Sequence, residues 1–222
     1  MPVATIDELT IADEPARWTA LGFTLREDNC QLGTVRLSFA GAAAAGGASA
    51  RGISGWSLRG ISSTRLDGLP TAISERRVPR KAPAHPNGVL AIDHVVAMSP
   101  ALDRSVTALQ AAGLDLRRLR EEPTPAGAPR QAFFRLGEAI LELIQEPYEL
   151  VERAGGPERP ARFWGLALLV QDLAQTVERL GEHVGEIRSA VQPGRQIATL
   201  RRSAGLAMPV ALMSAAQAAV AR

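Results

Sequence analysis

Apolar and polar positions along this chain repeat one local programme: a strand, a short amphipathic helix, then further strands. It is clearest between Gly88 and Pro147. Residues 89–98 form an apolar strand pattern. Ser99 is suited to cap the helix that follows, and Pro100 to its first turn. Leu102, Val106 and Leu109 then recur at the 4-then-3 spacing of one apolar helix face. Gly113 suits the left-handed residue that ends a helix. Residues 114–122, 131–136 and 139–144 read as strands, the last two forming a hairpin around Gly137. The order is β-α-β-β-β.

The pattern returns later in the chain. Residues 163–170 form a strand, Asp172 is placed to cap a helix, and Leu173, Val177 and Leu180 keep the same spacing. Gln192-Pro193-Gly194 suits a type II turn, and residues 195–201 and 209–213 supply the last strands. A shift of 71 positions superposes Ile92, Leu102, Val106 and Leu109 on Phe163, Leu173, Val177 and Leu180. A shift of 86 sets Ile6-Asp7-Glu8 on Ile92-Asp93-His94. Before Gly88 the pattern is weaker. A strand near residue 6 is followed by a short helix, with Asp13 as its cap, Trp18 and Leu21 on one face and Gly22 at its end. Strands are expected over 23–26, 31–40 and 53–61.

Residues 42–48 read as a flexible loop and 62–88 as a basic, proline-punctuated linker, with His85 in an exposed turn. The expected organisation is therefore a weaker module at 1–61, the linker 62–88, a paired-module domain at 89–214 (modules 89–147 and 162–214) and a tail at 215–222. Repeated units of this kind change the reading of the whole fold. Each covers one sheet face with its helix and leaves the other to be paired. An α+β fold follows, with βαβββ modules pairing into a cupped mixed sheet and helices outside.

Composition narrows the function. The chain has 222 residues, 46% hydrophobic and 22% charged, with a formal net charge of +2. Its positive charge is almost all arginine, Lys81 being the one lysine. Basic residues are not clustered with interleaved aromatics, so no nucleic-acid partner is expected. The longest strongly apolar run, 163–170, is far short of a membrane span. Cys30 is the single cysteine, which rules out an intrachain disulfide and suits a reducing, cytoplasmic setting. No phosphate-binding glycine loop, nucleophile elbow or Cys-x-x-Cys motif occurs.

Ile92-Asp93-His94-Val95-Val96, the closing Ile140-Leu141-Glu142-Leu143 and the second opening Phe163-Trp164-Gly165-Leu166-Ala167-Leu168 resemble the vicinal oxygen chelate superfamily, the glyoxalase and bleomycin-resistance fold. The likeness covers residues 89–214 well and 4–61 more weakly, and is nearest to bacterial glyoxalase-like proteins. It implies that His94 and Glu142 stand at the first- and last-strand metal-ligand positions of one module. The partner module has Gly165 and Ala211 there, which offer no ligand. Two protein ligands are fewer than catalytic zinc usually takes, so Glu8, at the His94 position of the first module, is the candidate third. The cofactor expectation is accordingly none, or a divalent metal ion.

His94 and Glu142 could also handle protons without metal. Gln131, Phe133, Arg135, Trp164, Gln192, Arg195 and Thr199 are candidate substrate-binding residues lining the cup. Phe133 and Phe134 must face opposite sides, and the pattern does not say which. Arg195 could grip an anionic group or be solvated. Three readings follow: a binder of a small organic metabolite with an incomplete metal site; a metal-dependent lyase, isomerase or dioxygenase; or an interaction protein. An odd number of modules also points to a homodimer, because an unpaired sheet edge invites pairing.

Overall fold

The computed structural model describes residues 3–40, 51–78, 82–124, 127 and 129–215. The expected loop at 42–48 lies outside these residues, as does the tail beyond Ala215.

Two mixed sheets share one apolar core. The first is built from β1 (Thr5–Ile11), β2 (Leu25–Arg26), β3 (Asn29–Leu32), β4 (Val35–Phe39), β5 (Ile53–Arg59) and β6 (Thr71–Ile73), in the order β2-β3-β4-β1-β5-β6, with α1 (Pro15–Ala20) after β1. The second contains β7 (Val89–Ser99), β8 (Asp115–Arg120), β9 (Gln131–Leu136), β10 (Ala139–Gln145), β11 (Arg162–Val170), β12 (Arg188–Ser189), β13 (Gln196–Thr199) and β14 (Val210–Ser214). Their order is β12-β13-β14-β11-β7-β10-β9-β8. Helices α2 (Leu102–Ala111), α3 (Tyr148–Arg153) and α4 (Leu173–Leu180) accompany it.

In the eight-stranded sheet each module pairs its first and last strands in parallel, β7 with β10 and β11 with β14. The modules join through the antiparallel pair β7–β11. The first sheet follows the same plan. β1 pairs in parallel with β4, β5 with β6, and β1 meets β5 antiparallel. Its second half is reduced to an opening and a closing strand, and the segment between them brings Leu66 and Leu69 into the core.

Several expectations change here. The strand expected over 31–40 is a hairpin, because Gly33 takes a positive φ of 57° and turns the chain between β3 and β4. β5 is therefore not the end of the first module but the start of another. β6 lies inside the expected linker. The edge of β1 is covered by β5 within the same chain, which removes the sequence argument for a second chain.

The described parts of the linker are also stitched down. His85 is buried rather than exposed: its Nδ1 accepts from the Thr24 backbone N–H at 3.0 Å and its Nε2 faces the Gln31 carbonyl at 2.9 Å. Asn87 donates to the Leu21 carbonyl and accepts from Val89 N–H. Asp67 receives Arg104 of α2 at 2.8 Å. Caps differ too. Asp13 does not cap α1 but accepts from Trp18 Nε1 and from the backbone of Ala207. The first N–H of α2 is taken by Gln145 from β10 rather than by Ser99. Asp172 caps α4 as expected, accepting from Gln175 N–H.

Candidate functional site

Strand alternation sorts the side chains of the eight-stranded sheet into two faces. Val95 and Ala97 of β7, Ala132, Phe134 and Leu136 of β9, and Leu141 and Leu143 of β10 enter the core. The opposite, concave face therefore carries His94, Glu142, Gln131, Phe133 and Arg135. Phe134 is the core residue of its pair, and Phe133 lies opposite Glu142 in the β9–β10 ladder.

A bulge adds a residue the sequence pattern missed. Pairing with β11 passes from His94↔Ala167 to Ile92↔Leu168, leaving Asp93 unpaired. The extra residue re-aims the strand, so Asp93 and its neighbour His94 meet instead of pointing apart. His94 Nδ1 lies 2.9 Å from Asp93 Oδ2, and His94 Nε2 lies 3.3 Å from Glu142 Oε2. Gln131 Nε2 donates to the other oxygen of Glu142. Arg195 donates to the other oxygen of Asp93, to the Ser214 carbonyl at 2.8 Å and to Gln192 Oε1 at 2.8 Å. A polar chain thus runs Gln131–Glu142–His94–Asp93–Arg195, from one module into the other. Three of the Arg195 N–H donors are thus engaged within the chain, one of them fixing Asp93.

The two carboxylates are tuned in opposite directions. Burial is the largest influence on Glu142 and raises its pKa, outweighing the lowering by His94 and Gln131. Burial also pushes Asp93 upward, but the hydrogen bonds and charges of His94 and Arg195 outweigh it and hold this carboxyl below its ordinary value. The imidazole thus stands between two carboxylates.

The pH dependence of stability separates them. Glu142, raised in the fold, contributes stability that is full below the ordinary carboxylate range and fades as pH rises through its folded pKa. Asp93, depressed in the fold, contributes stability present above that range and lost as pH falls through its folded pKa. Urea unfolding between pH 3 and 7 should show Glu142→Gln gaining on wild type as pH rises. Asp93→Asn should lose ground over the same interval. Parallel pH profiles for the two variants would contradict this tuning.

The other candidate residues are placed less centrally. Thr199 is exposed on β13, and Trp164, 43% exposed, sits at a second irregularity between β11 and β7. Gly165 is closed to larger side chains, since a Cβ there would stand 2.6 Å from the Pro209 carbonyl oxygen. Ala211 and Ala167 lie side by side, without ligating atoms.

Within this chain Glu8 is not brought to His94 and Glu142. It lies in the first sheet, bonded to Arg36 through Nε at 2.7 Å, to Ser38 Oγ at 2.7 Å and to Arg76 Nη1 at 3.0 Å. Among the described residues, no three His, Cys, Asp or Glu side chains are grouped to hold a metal ion. His94 and Glu142 together supply two donors, fewer than the three protein ligands usual for catalytic zinc.

The first sheet nevertheless repeats the site's geometry. Its pairing passes from Ile6↔Leu58 to Glu8↔Ser57, leaving Asp7 bulged as Asp93 is. Glu8 lies opposite Arg36 as His94 lies opposite Ile140, so Ser38 holds the place of Glu142. Arg59 grips Asp7 as Arg195 grips Asp93. Here arginines fill the concave face.

Solved structures agree with this architecture. A xylose isomerase-like TIM barrel/4-hydroxyphenylpyruvate dioxygenase fusion protein matches all of this chain over 51% of its own length, with TM-score 0.61 and 14% identity. The chain has the vicinal oxygen chelate fold. Methylmalonyl-CoA epimerase from Mycobacterium tuberculosis matches 59% of the chain and 91% of its own, at 18% identity and TM-score 0.47. A variant of the Streptomyces coelicolor methylmalonyl-CoA epimerase, in complex with 2-nitronate-propionyl-CoA, matches 58% and 99% at 19% identity and TM-score 0.45. A scan against protein-family models finds no match, and a search of curated proteins finds none. No described helix is long and apolar enough to cross a membrane.

Proposed function

We propose that this vicinal oxygen chelate-fold protein binds a small organic molecule on the concave face of its eight-stranded sheet, where Asp93, His94 and Glu142 handle protons without a complete metal site. The observation that supports this reading is an imidazole held between two carboxylates whose pKa values are pushed apart. Pairs of titratable groups separated in this way serve acid–base chemistry at neutral pH. Gln131 and Arg195 keep the outer carboxylate oxygens occupied, so the cluster holds its geometry before a ligand arrives. Ala167 and Ala211 place small side chains without ligating atoms in the row beside His94.

A thermal-shift screen of small metabolites, run with and without divalent metals, tests this. A true ligand should raise the melting temperature by mass action, equally in both conditions, and His94→Ala with Glu142→Ala should lose the response. Metal analysis of the purified protein should give well under one equivalent. One tightly held equivalent that disappears in His94→Ala would overturn the proposal.

A further inference from the structure

The cluster explains how protons could be handled but not what brings a ligand there. Beside it lies a cleft of about 200 Å³ lined by Arg117, Phe133, Phe134, Arg135, Gly137, Glu138 and Ile140. Its position relative to the cluster follows from the ladders. His94 lies opposite Ile140, and Ile140 opposite Arg135, across two strand spacings. Adjacent strands are separated by about 4.8 Å, so Arg135 stands roughly 10 Å from His94 along one row of the concave face. Ile140 forms the floor between them. In the next row Glu142 lies opposite Phe133, and Phe133 opposite Arg118.

The row therefore passes from a proton-handling cluster, over an apolar floor, to guanidinium groups at the edge of the sheet. Arg135 and Arg118 have no ion-pair partner among the described residues, whereas Arg117 is bonded to Asp115 at 3.2 Å. Asp115 and Glu138 are the acids at this end, against the three arginines, so the edge carries an excess of positive charge. An exposed arginine with open N–H groups over an apolar floor suits a planar oxyanion, which it can grip with two parallel hydrogen bonds. The bulge at Arg117, where pairing passes from Leu116↔Phe134 to Arg118↔Phe133, turns an additional guanidinium toward the cleft.

We propose that the ligand is an organic oxyanion. Its carboxylate or phosphate sits against Arg135 and Arg117, its apolar body covers Ile140 and Phe133, and its far end reaches His94 and Glu142. This deepens the proposed function and rests on it for the reacting end alone. The anion cleft stands on its own residues.

Amide NMR titrations with 3-phenylpropionate, phenyl phosphate and the neutral 3-phenylpropanol test the assignment. Both anions should shift Arg117, Arg135 and Ile140, continue to His94 and Glu142, and bind at least tenfold more tightly than the alcohol. The double substitution Arg117→Gln/Arg135→Gln should abolish that preference while leaving the weak alcohol binding unchanged. A tighter 3-phenylpropionate than phenyl phosphate would assign the carboxylate, and the reverse order the phosphate. Equal binding of acid and alcohol, a preference that survives the double substitution, or no response to millimolar anion would overturn the cleft. Shifts confined to Arg117 and Arg135, with His94 and Glu142 unmoved, would uphold the cleft and overturn the proposed function instead.

Discussion

Phe134→Ala will lower the unfolding free energy by about 3–5 kcal/mol, whereas its neighbour Phe133→Ala will cost about 1 kcal/mol and act on ligand binding instead. The two residues are chemically identical and adjacent, so the difference isolates the face of the sheet. Phe134 is fully buried, opposite Leu141 on one side and Leu116 on the other. Truncating it leaves a void among side chains that cannot all collapse inward, which adds a cavity cost to the lost transfer energy. Phe133 is partly open and opposes Glu142. Its ring covers the concave face, where solvent replaces it at small cost. Chemical denaturation of both variants, with the slope of unfolding checked for constancy, reads the contrast directly. Equal costs, or the larger cost at Phe133, would mean that β9 presents the other face to the core. The candidate site would then be wrongly built, because Gln131 and Arg135 lie on the same face as Phe133.

The alternation that separates these phenylalanines was legible in the sequence, but its direction was not. Period-2 patterning states that neighbours face opposite ways. Which face is covered depends on the helix that packs there. The opening and closing strands, the helix ends at Gly113 and Asp172 and the pairing of modules were readable because each rests on local signals. The misreadings share one cause, contacts between segments far apart in sequence. His85 sits in a turn-like tetrapeptide and looks solvated, yet Thr24 and Gln31 close around it from the first sheet. Ser99 is a good cap by type, but Gln145 reaches the same N–H from the neighbouring strand. Gly33 reads equally well inside a strand or in a turn, and only the pairing of β3 with β4 decides.

Asp93 is the most instructive omission. In a regular strand it would point away from His94, so periodicity offers no reason to join them; the bulge opposite β11 supplies one. The signal was present in weak form, since a shift of 86 places Asp7 on Asp93 and both are followed by a polar residue in an otherwise apolar strand. Two bulges at equivalent positions, each with its aspartate gripped by an arginine from the paired half, mark a feature of the duplicated architecture rather than of the reactive site alone. The reactive part is what differs between the copies: His94 and Glu142 in one, Glu8 and Ser38 in the other.

That duplication carries the second large effect. Arg59→Ala will destabilise the protein by about 3–5 kcal/mol, and Arg195→Ala by about 1–2 kcal/mol. Each substitution strands the aspartate it grips, and the cost of a stranded charge grows with its burial. Asp7 is 2% exposed, Asp93 14%. Solvent can approach Asp93 once Arg195 is gone, and His94 still faces it. Asp7 keeps Ser74, with Arg76 Nε only as near as 3.7 Å. Arg59 also donates to the carbonyls of Ile6 and Arg76, so its loss loosens the strand and the segment that crosses it. A double-mutant cycle separates the stranded charge from these other losses. Adding Asp7→Asn to Arg59→Ala should recover about half of the cost, because the buried group becomes neutral, whereas Asp7→Asn alone should destabilise. If Arg59→Ala costs no more than Arg195→Ala and Asp7→Asn recovers nothing, the first-sheet pair is a surface contact rather than a buried clamp. Ligand binding on the eight-stranded sheet should survive Arg59→Ala and weaken in Arg195→Ala, since Arg195 fixes the aspartate that holds His94.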